Sequence, residues 1–417
     1  LNMTIYDITA PHNLDADITL PASKSISNRA LIIHALSGGE IMPDNLSDCD
    51  DTRVVKAALK TMPPVIDIQA AGTAMRFMTA YLSVTPGEHT ITGTERMRHR
   101  PIGLLVDALR MLGADISYTG EQGYPPLHIC GNKLPGGKLE IPGNISSQFI
   151  SALLLIGPMM HLGLTLHLTG EIVSRPYIDL TLWVMKSYGA DVDWTGTDTI
   201  EVKPKPYVDR PYLIENDWSA ASYWYEMAAL YPENEVRVTL DGLMNGSRQG
   251  DSVVRYIYSL LGVRTQFSEP HSNQPTVVKL SRHADHVDNL TYDFINCPDL
   301  AQTIVCTCCA LNVPFTFTGL NSLRIKETDR LEALRKELLK LGYIINIEGD
   351  DKLTWSGAKC EPSFEAIDTY DDHRMAMAFA PFAIKFPHLH IRNPQVVSKS
   401  YPGFWNDLKA AWFNINE

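Results

Sequence analysis

Apolar residues recur at helical spacing in four stretches of the chain, and each stretch ends at a glycine followed by β-prone residues. The four glycines are Gly113, Gly189, Gly262 and Gly342, which places them about 75 residues apart, a spacing typical of an internal repeat. The pattern predicts helices that each end in a left-handed glycine cap and lead into a strand. Residues 52–68 have a degenerate fifth copy of the pattern.

Shorter runs alternate polar and apolar residues and close with a turn glycine. They are residues 89–93, 164–170, 236–242 and 314–319. This alternation predicts strands with one face against helices. We therefore expect an α+β (mixed αβ) protein built from copies of one small unit, and not a single doubly wound sheet. A chain of 417 residues is too long for one ordinary core, so two domains are expected.

Composition narrows the class of protein. The net charge of −12 argues against a general nucleic-acid or anionic-membrane surface, though not against one local basic pocket. No apolar run reaches the roughly 18–20 residues that span a bilayer, and the N-terminal stretch lacks the pattern of a secretory signal. The seven cysteines are odd in number and scattered, which favours a reducing, cytoplasmic location. The cluster Cys306, Cys308 and Cys309 has no partner ligands nearby and is interpreted as small buried residues.

Cations and hydroxyls collect where predicted strands give way to helices. The stretch "LPASKSISNRALIIHAL" places Lys24, Ser25, Ser27 and Arg29 ahead of an apolar helix. Free N–H groups and the positive dipole end of a helix suit a phosphate or carboxylate there. The alternative is simple N-capping by Ser25 or Ser27 beside a solvated lysine and arginine.

Similar stretches follow in the first half of the chain. They contain Gly72 and Thr73 in "AAGTAMRF", Arg96, Arg98 and Arg100 in "TERMRHRPI", Ser146, Ser147 and Gln148 in "NISSQF", and Ser174, Arg175 and Tyr177 in "VSRPY". The three alternating arginines are expected on one face of an extended segment. Ordinary capping and a solvated charged face are the alternatives for each stretch.

The second half adds acids to the same theme. "LRIKETDRLEAL" places Lys326, Glu327 and Arg330 near a helix start, with Lys326 and Arg330 expected on one face. "TYDDHRMAMA" places Asp372, His373 and Arg374 before an apolar helix, and "NCPDLAQT" places Asp299 after a proline. Capping by Asp371 or Asp372, and by Asp299, is the structural alternative.

Motifs for nucleophilic or metal-dependent chemistry are absent from the sequence, including HExxH, GxSxG and CxxC. Chemistry would then depend on electrostatic stabilisation and proton transfer by Lys, Arg, Asp, Glu and His. No metal and no cofactor are expected.

Taken together, these motifs resemble the 5-enolpyruvylshikimate-3-phosphate synthases (3-phosphoshikimate 1-carboxyvinyltransferases) over nearly the whole chain. The matching stretches, in order, include "LPASKSISNRAL", "AGTAMR", "RMRHRPI", "SSQFISALL", "SRPYIDLTL", "RIKETDRL", "DDHRMAMA" and "SKSYPGF". The resemblance implies the enolpyruvyl transferase fold, with six βαβαββ units in two domains. It also implies transfer of the enolpyruvyl group of phosphoenolpyruvate to the 5-hydroxyl of shikimate 3-phosphate, in chorismate and aromatic amino acid biosynthesis.

The resemblance also assigns residues to roles. It implies four catalytic residues, which are Asp299, Glu327, Lys326 and Lys24. It implies a shikimate 3-phosphate site made of Lys24, Ser25, Arg29, Ser146, Ser147, Gln148, Ser174, Tyr177, Asp299 and Lys326. It implies a phosphoenolpyruvate site made of Lys24, Gly72, Arg100, Gln148, Arg330, His373, Arg374 and Lys399. In these roles Asp299 orients the attacking hydroxyl or accepts its proton, and Glu327 protonates the methylene carbon.

The resemblance further implies that the chain crosses between domains twice. One domain would hold residues 1–20 and 215–417 with the acid and base, and the other residues 21–214 with most of the shikimate 3-phosphate site. No nucleic acid or membrane partner is expected, and a monomer is favoured.

Three positions depart from the family pattern. Ala70 stands where Asn is usual, Phe77 where Pro is usual, and Ser322 where Asn is common. These positions leave the response to glyphosate open. Residues 44–71 are also shorter than in the family. The rival functions are an enolpyruvyl transferase for UDP-N-acetylglucosamine, which usually depends on a loop cysteine, and an inactive phosphosugar-binding relative.

Overall fold

The structure is a computed structural model that describes residues 4–272, 274–283 and 285–417. The chain divides into two compact units. We call Ala22–Ile214 the inserted unit, and the segment ending at Pro21 together with Glu215–Glu417 the terminal unit. The boundaries expected from sequence were 20/21 and 214/215, and residues 1–3 of the expected first segment lie outside the described residues.

Helices and strands alternate along the described residues. The helices are α1 (Lys24–Ser37), α2 (Asp50–Thr61), α3 (Gly72–Val84), α4 (Glu95–Arg98), α5 (Gly103–Met111), α6 (Ser147–Ile156), α7 (Arg175–Ser187), α8 (Trp218–Leu230), α9 (Val254–Leu260), α10 (Ala301–Leu311), α11 (Arg330–Lys340), α12 (His373–Phe379) and α13 (Phe404–Ala410). The strands are β1 (Ile5–Thr9), β2 (Leu14–Thr19), β3 (Val65–Asp67), β4 (Gly87–Thr92), β5 (Asp115–Tyr118), β6 (Leu127–Gly131), β7 (Gly137–Pro142), β8 (Leu164–Thr169), β9 (Val192–Trp194), β10 (Thr199–Val202), β11 (Val236–Leu243), β12 (Val263–Phe267), β13 (Thr276–Arg282), β14 (Leu290–Asp293), β15 (Phe315–Thr318), β16 (Asn346–Glu348), β17 (Lys352–Trp355), β18 (Leu389–Arg392) and β19 (Asn414–Asn416).

One βαβαββ arrangement recurs in both units. In the inserted unit the sheets have strand orders β3-β4-β6-β5 and β7-β8-β10-β9, and in the terminal unit β14-β15-β17-β16. In each sheet the first two strands run parallel with a helix between them, and the last two strands form an antiparallel hairpin. The repeat predicted from the glycine spacing is therefore a structural repeat, and the mixed αβ fold class is confirmed.

Two copies in the terminal unit are assembled from distant segments. The sheet β2-β11-β13-β12 has the same order, but the whole inserted unit lies in the chain between β2 and α8. In the sheet β18-β1-β19, Ile367 forms a parallel bridge to Ile391 of β18 and thus takes the place of a first strand. The N-terminal β1 supplies the fourth strand of that copy and pairs antiparallel with both neighbours.

The sixth copy is incomplete among the described residues. Its helices are α1 and α2, and its strands are reduced to a parallel bridge between Asp44 and Leu213. Backbone hydrogen bonds of 2.9 Å from Asp44 to Tyr212 and 3.1 Å from Ile214 to Asp44 hold that bridge. No hairpin follows α2, because β3 begins three residues after the left-handed Met62. Residues 44–71, which were expected to be short, therefore contain α2 and β3 but no hairpin.

Sequence periodicity and local structure agree at the four repeat glycines. Gly113, Gly189, Gly262 and Gly342 all have φ between 84° and 100°, a region where a side chain would be strained, so each lets the chain turn from helix to strand. Each unit has its own apolar core between sheets and helices. In the described part of the chain, no helix is long and apolar enough to cross a membrane.

Candidate active site

Arg29 is the centre of the hydroxyl-rich end of α1 in the inserted unit. Its side chain is buried, and it donates to Ser25 Oγ at 2.8 Å, Thr181 Oγ1 at 2.7 Å, Ser151 Oγ at 3.2 Å and the Tyr177 carbonyl at 3.3 Å. All these acceptors are neutral, and burial lowers the pKa of the Arg29 guanidinium to about 10. Arg29 thus holds α1, α6 and α7 together while keeping an unmatched positive charge.

Phe77 explains how the buried guanidinium is accommodated. The ring of Phe77 is buried in α3, and the Arg29 Cζ lies 5.3 Å from its centre. A cation over an aromatic face is stabilised by the ring quadrupole. Phe77, which was expected to depart from the family pattern, therefore stabilises the charge of Arg29.

The start of α1 differs from the expected cap. Ser23 is the N-cap and accepts from the Ile26 amide at 3.4 Å. Ser25 bonds Arg29 instead, and Ser27 Oγ accepts from the Ser47 amide at 3.0 Å. Capping by Ser25 or Ser27 is therefore wrong, because the serine before the helix already caps it. Lys24 lies 3.4 Å from the buried carboxylate of Asp51 at the start of α2.

Two arginines meet at the N-terminus of α3. A methyl group placed on Gly72 would lie 2.6 Å from an Arg100 guanidinium nitrogen and 2.9 Å from one of Arg76. Arg76 also donates to the Gly72 carbonyl at 2.8 Å, and the Nε of Arg100 is buried without a hydrogen-bond partner. Two like charges at the positive end of a helix repel each other unless an anion lies between them.

The arginine-rich stretch before α5 does not form one basic face. Residues Glu95–Arg98 form the short helix α4, so Arg96 and Arg98 are exposed and only Arg100 reaches Gly72. The extended segment expected from the alternation is therefore wrong. Thr94 caps this helical turn by accepting from the Met97 amide, which is the local signal that overrides the alternation.

The starts of α6 and α7 supply neutral groups. Ser146 caps α6 by accepting from the Gln148 amide at 3.3 Å, Ser147 is its first residue, and Gln148 donates to Thr73 Oγ1 at 3.0 Å. Ser174, before α7, is buried with φ of 54°, a left-handed conformation that costs a serine of order 1–3 kcal/mol. Such strain is most common at binding sites. The Arg175 Cζ instead lies 3.9 Å from the centre of the Trp194 ring, so this guanidinium packs on an aromatic side chain and not on these serines.

Arg330 organises the charged cluster of the terminal unit. It is 1% exposed and contacts three carboxylates. Its Nε is 2.7 Å from Asp372, NH1 is 3.0 Å from Asp299, and NH2 is 3.0 Å from Glu327. Burial lowers the pKa of Arg330, but the three carboxylates outweigh burial and the net pKa is raised.

Asp299 is shared among three cations. One oxygen lies 3.0 Å from Arg330 and 3.5 Å from Lys326, and the other lies 3.0 Å from Arg374. Desolvation lowers the pKa of Lys326 despite the neighbouring Asp299. Asp299 lies in a 3-10 turn, Pro298–Leu300, that leads into α10, as expected. Its side chain is 20% exposed, which leaves the carboxylate reachable from solvent.

Glu327 is held by two cations. Its Oε2 lies 3.0 Å from Arg330, and its Oε1 lies 2.6 Å from Lys399 Nζ. Lys399 comes from a 3-10 turn, Pro394–Lys399, far along the chain. The expected shared helical face of Lys326 and Arg330 is wrong, because α11 begins only at Arg330 with Asp329 as its cap. Lys326 and Glu327 instead lie in the loop before the helix.

The start of α12 completes the cluster. Asp372 is fully buried, caps the helix by accepting from the Arg374 amide at 2.9 Å, and also binds Arg330. Capping by Asp372 was expected, but its bond to Arg330 was not. His373 is buried, with Nδ1 3.7 Å from Asp372. Arg374 contacts Asp299 and lies 3.4 Å from the Tyr223 hydroxyl.

Three charged residues near these sites were not assigned roles from sequence. They are Arg76 at the start of α3, and Asp251 and Asp372 near Asp299 and Arg330 in the terminal unit. Desolvation and the neighbouring Asp299 raise the pKa of buried Asp251 to about 6, while Arg374 opposes the rise. The "AGTAMR" and "DDHR" motifs contained the signal for Arg76 and Asp372. Asp251 lies in "QGD", another stretch that resembles the family, but only folding brings it near Asp299.

The two clusters differ in charge balance. In the inserted unit, Arg29 and Arg100 have no carboxylate partner among the described residues. In the terminal unit, each of the four cations Lys326, Arg330, Arg374 and Lys399 contacts Asp299 or Glu327. The first cluster is therefore suited to bind anions, and the second is suited to hold carboxylates for proton transfer.

Comparison with solved structures identifies the fold. An EPSP synthase from Acinetobacter baumannii superimposes with a TM-score of 0.79 and 20% identity, covering 99% of this chain and 100% of the other. The enolpyruvyl transferase NikO from Streptomyces tendae gives a TM-score of 0.74 at 14% identity, covering 99% and 98%. The fold is that of the enolpyruvyl transferases.

Sequence comparison identifies the family. The EPSP synthase (3-phosphoshikimate 1-carboxyvinyltransferase) family model matches residues 8–65 and 61–408. A 3-phosphoshikimate 1-carboxyvinyltransferase of Bacteroides fragilis is 57% identical over 411 residues, 98% of each chain, and one of Sulfurovum sp. is 36% identical over 95% and 96%. The chain belongs to the EPSP synthase family.

Proposed function

We propose that the chain transfers the enolpyruvyl group of phosphoenolpyruvate to the 5-hydroxyl of shikimate 3-phosphate and releases phosphate. The family and the 57% identical relative of that activity support this reaction. The observation that carries the mechanism is the placement of Asp299 and Glu327 on the same buried guanidinium, Arg330. A fixed pair of carboxylates can remove one proton and supply another.

The inserted unit is proposed to bind the substrate anions. The shikimate 3-phosphate groups would contact Lys24, Ser25, Ser146, Ser147, Gln148, Ser174 and Tyr177. Arg29 would add its unmatched charge and fix the positions of Ser25 and Tyr177. Gly72, Arg100 and the newly recognised Arg76 would receive an anionic group of phosphoenolpyruvate at the N-terminus of α3.

The terminal unit is proposed to carry the chemistry. Asp299 would orient the 5-hydroxyl and accept its proton as the oxygen attacks C2 of phosphoenolpyruvate, while Lys326 stabilises the developing charge. Glu327 would protonate C3, which gives a tetrahedral ketal. Cleavage of the C2–O bond to phosphate and loss of a proton from the new methyl group then yield the enol ether. Arg330, His373, Arg374 and Lys399 would balance the charge of phosphoenolpyruvate through these steps.

Substrate anions would compete for cations that the carboxylates already occupy. Lys399 and Arg330 both form ion pairs with Glu327. An incoming phosphate or carboxylate near either cation would weaken that hold and make Glu327 a better proton acceptor, and so ready to act as an acid. The proposed steps require no cofactor. A cytoplasmic, monomeric enzyme acting on these two small molecules remains the expectation.

Phosphate release tests the reaction. Purified protein is supplied with phosphoenolpyruvate alone, with shikimate 3-phosphate added, or with UDP-N-acetylglucosamine added. We expect release only with shikimate 3-phosphate, at least about 100-fold slower in Asp299→Asn and unchanged in Asp288→Asn, which alters an exposed aspartate. Release with UDP-N-acetylglucosamine instead would contradict the proposed substrate. No release together with intact shikimate 3-phosphate binding would indicate an inactive relative.

The cysteine positions give no support to the UDP-N-acetylglucosamine alternative. Cys297, two residues from Asp299, is buried, and burial raises the pKa of its thiol. The more accessible cysteines are Cys130 on β6, which contacts His128, and Cys360 after β17, which contacts the Leu339 carbonyl. Neither of these contacts involves a residue assigned to the substrates.

A further inference from the structure

One face of the sheet β3-β4-β6-β5 gathers three different metal-ligating side chains. Glu88 on β4 is the register partner of Cys130 on β6, and His128 lies two residues before Cys130 on the same face. One ligand atom from each, the Glu88 carboxylate, His128 Nε2 and Cys130 Sγ, lies within 4.8 Å of the other two. We propose that Glu88, His128 and Cys130 bind a Zn²⁺ ion.

The distances suit a tetrahedral ion. His128 Nε2 lies 3.1 Å from Glu88 Oε1 and 3.7 Å from Cys130 Sγ. Bond lengths of about 2.0–2.3 Å in a tetrahedral zinc site place neighbouring ligand atoms about 3.3–3.6 Å apart. The two separations that involve His128 Nε2 therefore lie within a few tenths of an ångström of tetrahedral values, and the Glu88 and Cys130 ligand atoms lie within 4.8 Å of each other.

The surroundings orient the imidazole. The second ring nitrogen of His128, Nδ1, lies 3.4 Å from Thr90 Oγ1. Thr90 is directly opposite His128 on β4, so the sheet register fixes this pair. A metal-bound histidine commonly donates its other N–H to an oxygen, which leaves the ligating nitrogen turned toward the metal. Thr90 is suited to that role.

The sheet also concentrates negative charge at this point. Asp115 on β5 pairs with Cys130 from the opposite side, so Glu88, Cys130 and Asp115 form one row across three strands. The inward-facing neighbours Ile91, Ile129 and Ile116 are buried in the core and hold the strands in place. Two carboxylates beside a thiol and an imidazole attract a divalent cation.

The chemistry of the donor set selects the metal. One sulfur, one nitrogen and one oxygen suit Zn²⁺ and not Mg²⁺ or Ca²⁺, which prefer oxygen alone. The Glu88 side chain is 71% exposed and that of His128 is 33% exposed, so the ion would be reached directly from solvent. The residues assigned to the substrates lie on other elements, and this site is therefore independent of the proposed function.

Cobalt substitution tests the site. Co²⁺ replaces Zn²⁺ in such sites, and a Co²⁺–thiolate bond produces a charge-transfer band in the near ultraviolet. Titration of the full-length protein under reducing conditions is expected to give that band, saturating at one equivalent, and Zn²⁺ should abolish it. The band should persist in Cys360→Ser, which removes the other accessible cysteine, and disappear in Cys130→Ser.

Variants of Glu88, His128 and Thr90 distinguish a site with three ligands from metal binding by the Cys130 thiolate alone. Glu88→Gln, His128→Ala and the near-isosteric Thr90→Val are each expected to weaken Co²⁺ binding roughly 10- to 100-fold. Unchanged binding in both Glu88→Gln and His128→Ala would overturn the proposal, as would the absence of a band in the wild type. The thermal unfolding of each metal-free variant is measured alongside, and only variants that unfold cooperatively like the wild type are compared.

Discussion

Arg330 illustrates at the scale of one residue how charge is held inside the terminal unit. Three carboxylates from three different chain segments converge on its buried guanidinium. We expect Arg330→Ala to lower the free energy of unfolding by about 3–5 kcal/mol, because it leaves the buried Asp372 and the partly buried Asp299 and Glu327 without their shared partner. Arg335→Ala, which removes an exposed pair with Glu332 in the same helix, should cost less than about 1 kcal/mol. Chemical denaturation of both variants checks this, and equal losses would contradict it.

Glu226 is a second residue whose burial has a measurable consequence. It is fully buried in α8, neither carboxylate oxygen has a hydrogen-bond partner among the described residues, and desolvation raises its pKa well above the usual value. The unfolded chain ionises this group above about pH 4.3, whereas the folded protein keeps the proton. Stability is therefore lost as the pH rises above that value, until the folded carboxyl itself ionises.

Glu226→Met should remove this pH dependence. At pH 7.5 we expect the variant to exceed the wild type in free energy of unfolding by about 1–3 kcal/mol, with a smaller difference at pH 5. Urea denaturation at the two pH values measures the change, with Glu269→Met, at an exposed turn position, as the control. A difference that does not grow with pH would mean that Glu226 is ionised in the folded protein.

Residue identities were predictable from the sequence where motifs contained them, and their contacts were not. The motifs named Asp299, Glu327 and Arg330 as site residues. The Arg330 guanidinium binds Asp299, Glu327 and Asp372. These carboxylates come from three separate segments that only the fold brings together, so the contacts could not be predicted. Glu226 has no sequence signal, since a glutamate among apolar helical residues is usually found on the exposed face.

Helix starts are the elements that carry the proposed anion-binding groups of the inserted unit. The start of α3 brings Arg76 and Arg100 against Gly72. Gly72→Ala should push both guanidiniums away while leaving the helix intact. We expect the KM for phosphoenolpyruvate to rise about 10-fold, which corresponds to about 1.4 kcal/mol, with little change in stability. Gly196→Ala, at a surface turn with space for a methyl group, is the control. An unchanged KM would exclude this helix end from the phosphoenolpyruvate site.

Elements with strong periodicity were predicted well, and short charged elements were not. The four glycine-terminated helices and the alternating strands follow from spacing alone. The helical turn α4 and the late start of α11 were missed, because capping by Thr94 and Asp329 decides where a charged segment becomes helical. Both errors concerned side-chain direction. The first leaves Arg96 and Arg98 exposed, whereas Lys326 and Arg330 both contact Asp299 despite the second.

At the scale of the whole molecule, the inserted unit is continuous in sequence and has its own apolar core. A fragment of residues 22–214 is expected to fold on its own with a single cooperative transition. A fragment of residues 22–202 should be less stable, because it lacks the Asp44–Leu213 bridge and Tyr207, whose hydroxyl bonds the Leu155 carbonyl at 2.8 Å. Circular dichroism during thermal unfolding compares the two, and an unfolded longer fragment would contradict the independence of this unit.

The repeat count shows what the sequence could not decide about the whole molecule. Sequence spacing indicated four or five copies of one unit, and the resemblance implied six. The fold has five sheets in the described residues, plus a sixth copy reduced to two helices and one bridge. β1 and β2 each belong to a copy whose other strands lie hundreds of residues later in the chain. Such a copy has no continuous sequence pattern, so a search for contiguous repeats does not find it.

The central claim is that Glu327 adds a proton to C3 of phosphoenolpyruvate. The most direct test is turnover in deuterium oxide, with mass spectrometry of the enol ether product and the remaining phosphoenolpyruvate. If a methyl group forms and then loses a proton, deuterium must enter C3 in the wild type and in the control Glu361→Gln, which alters an exposed glutamate. In Glu327→Gln we expect incorporation to fall by at least about 100-fold while shikimate 3-phosphate still binds. Product formed without deuterium at C3, or full incorporation in Glu327→Gln, would contradict the account.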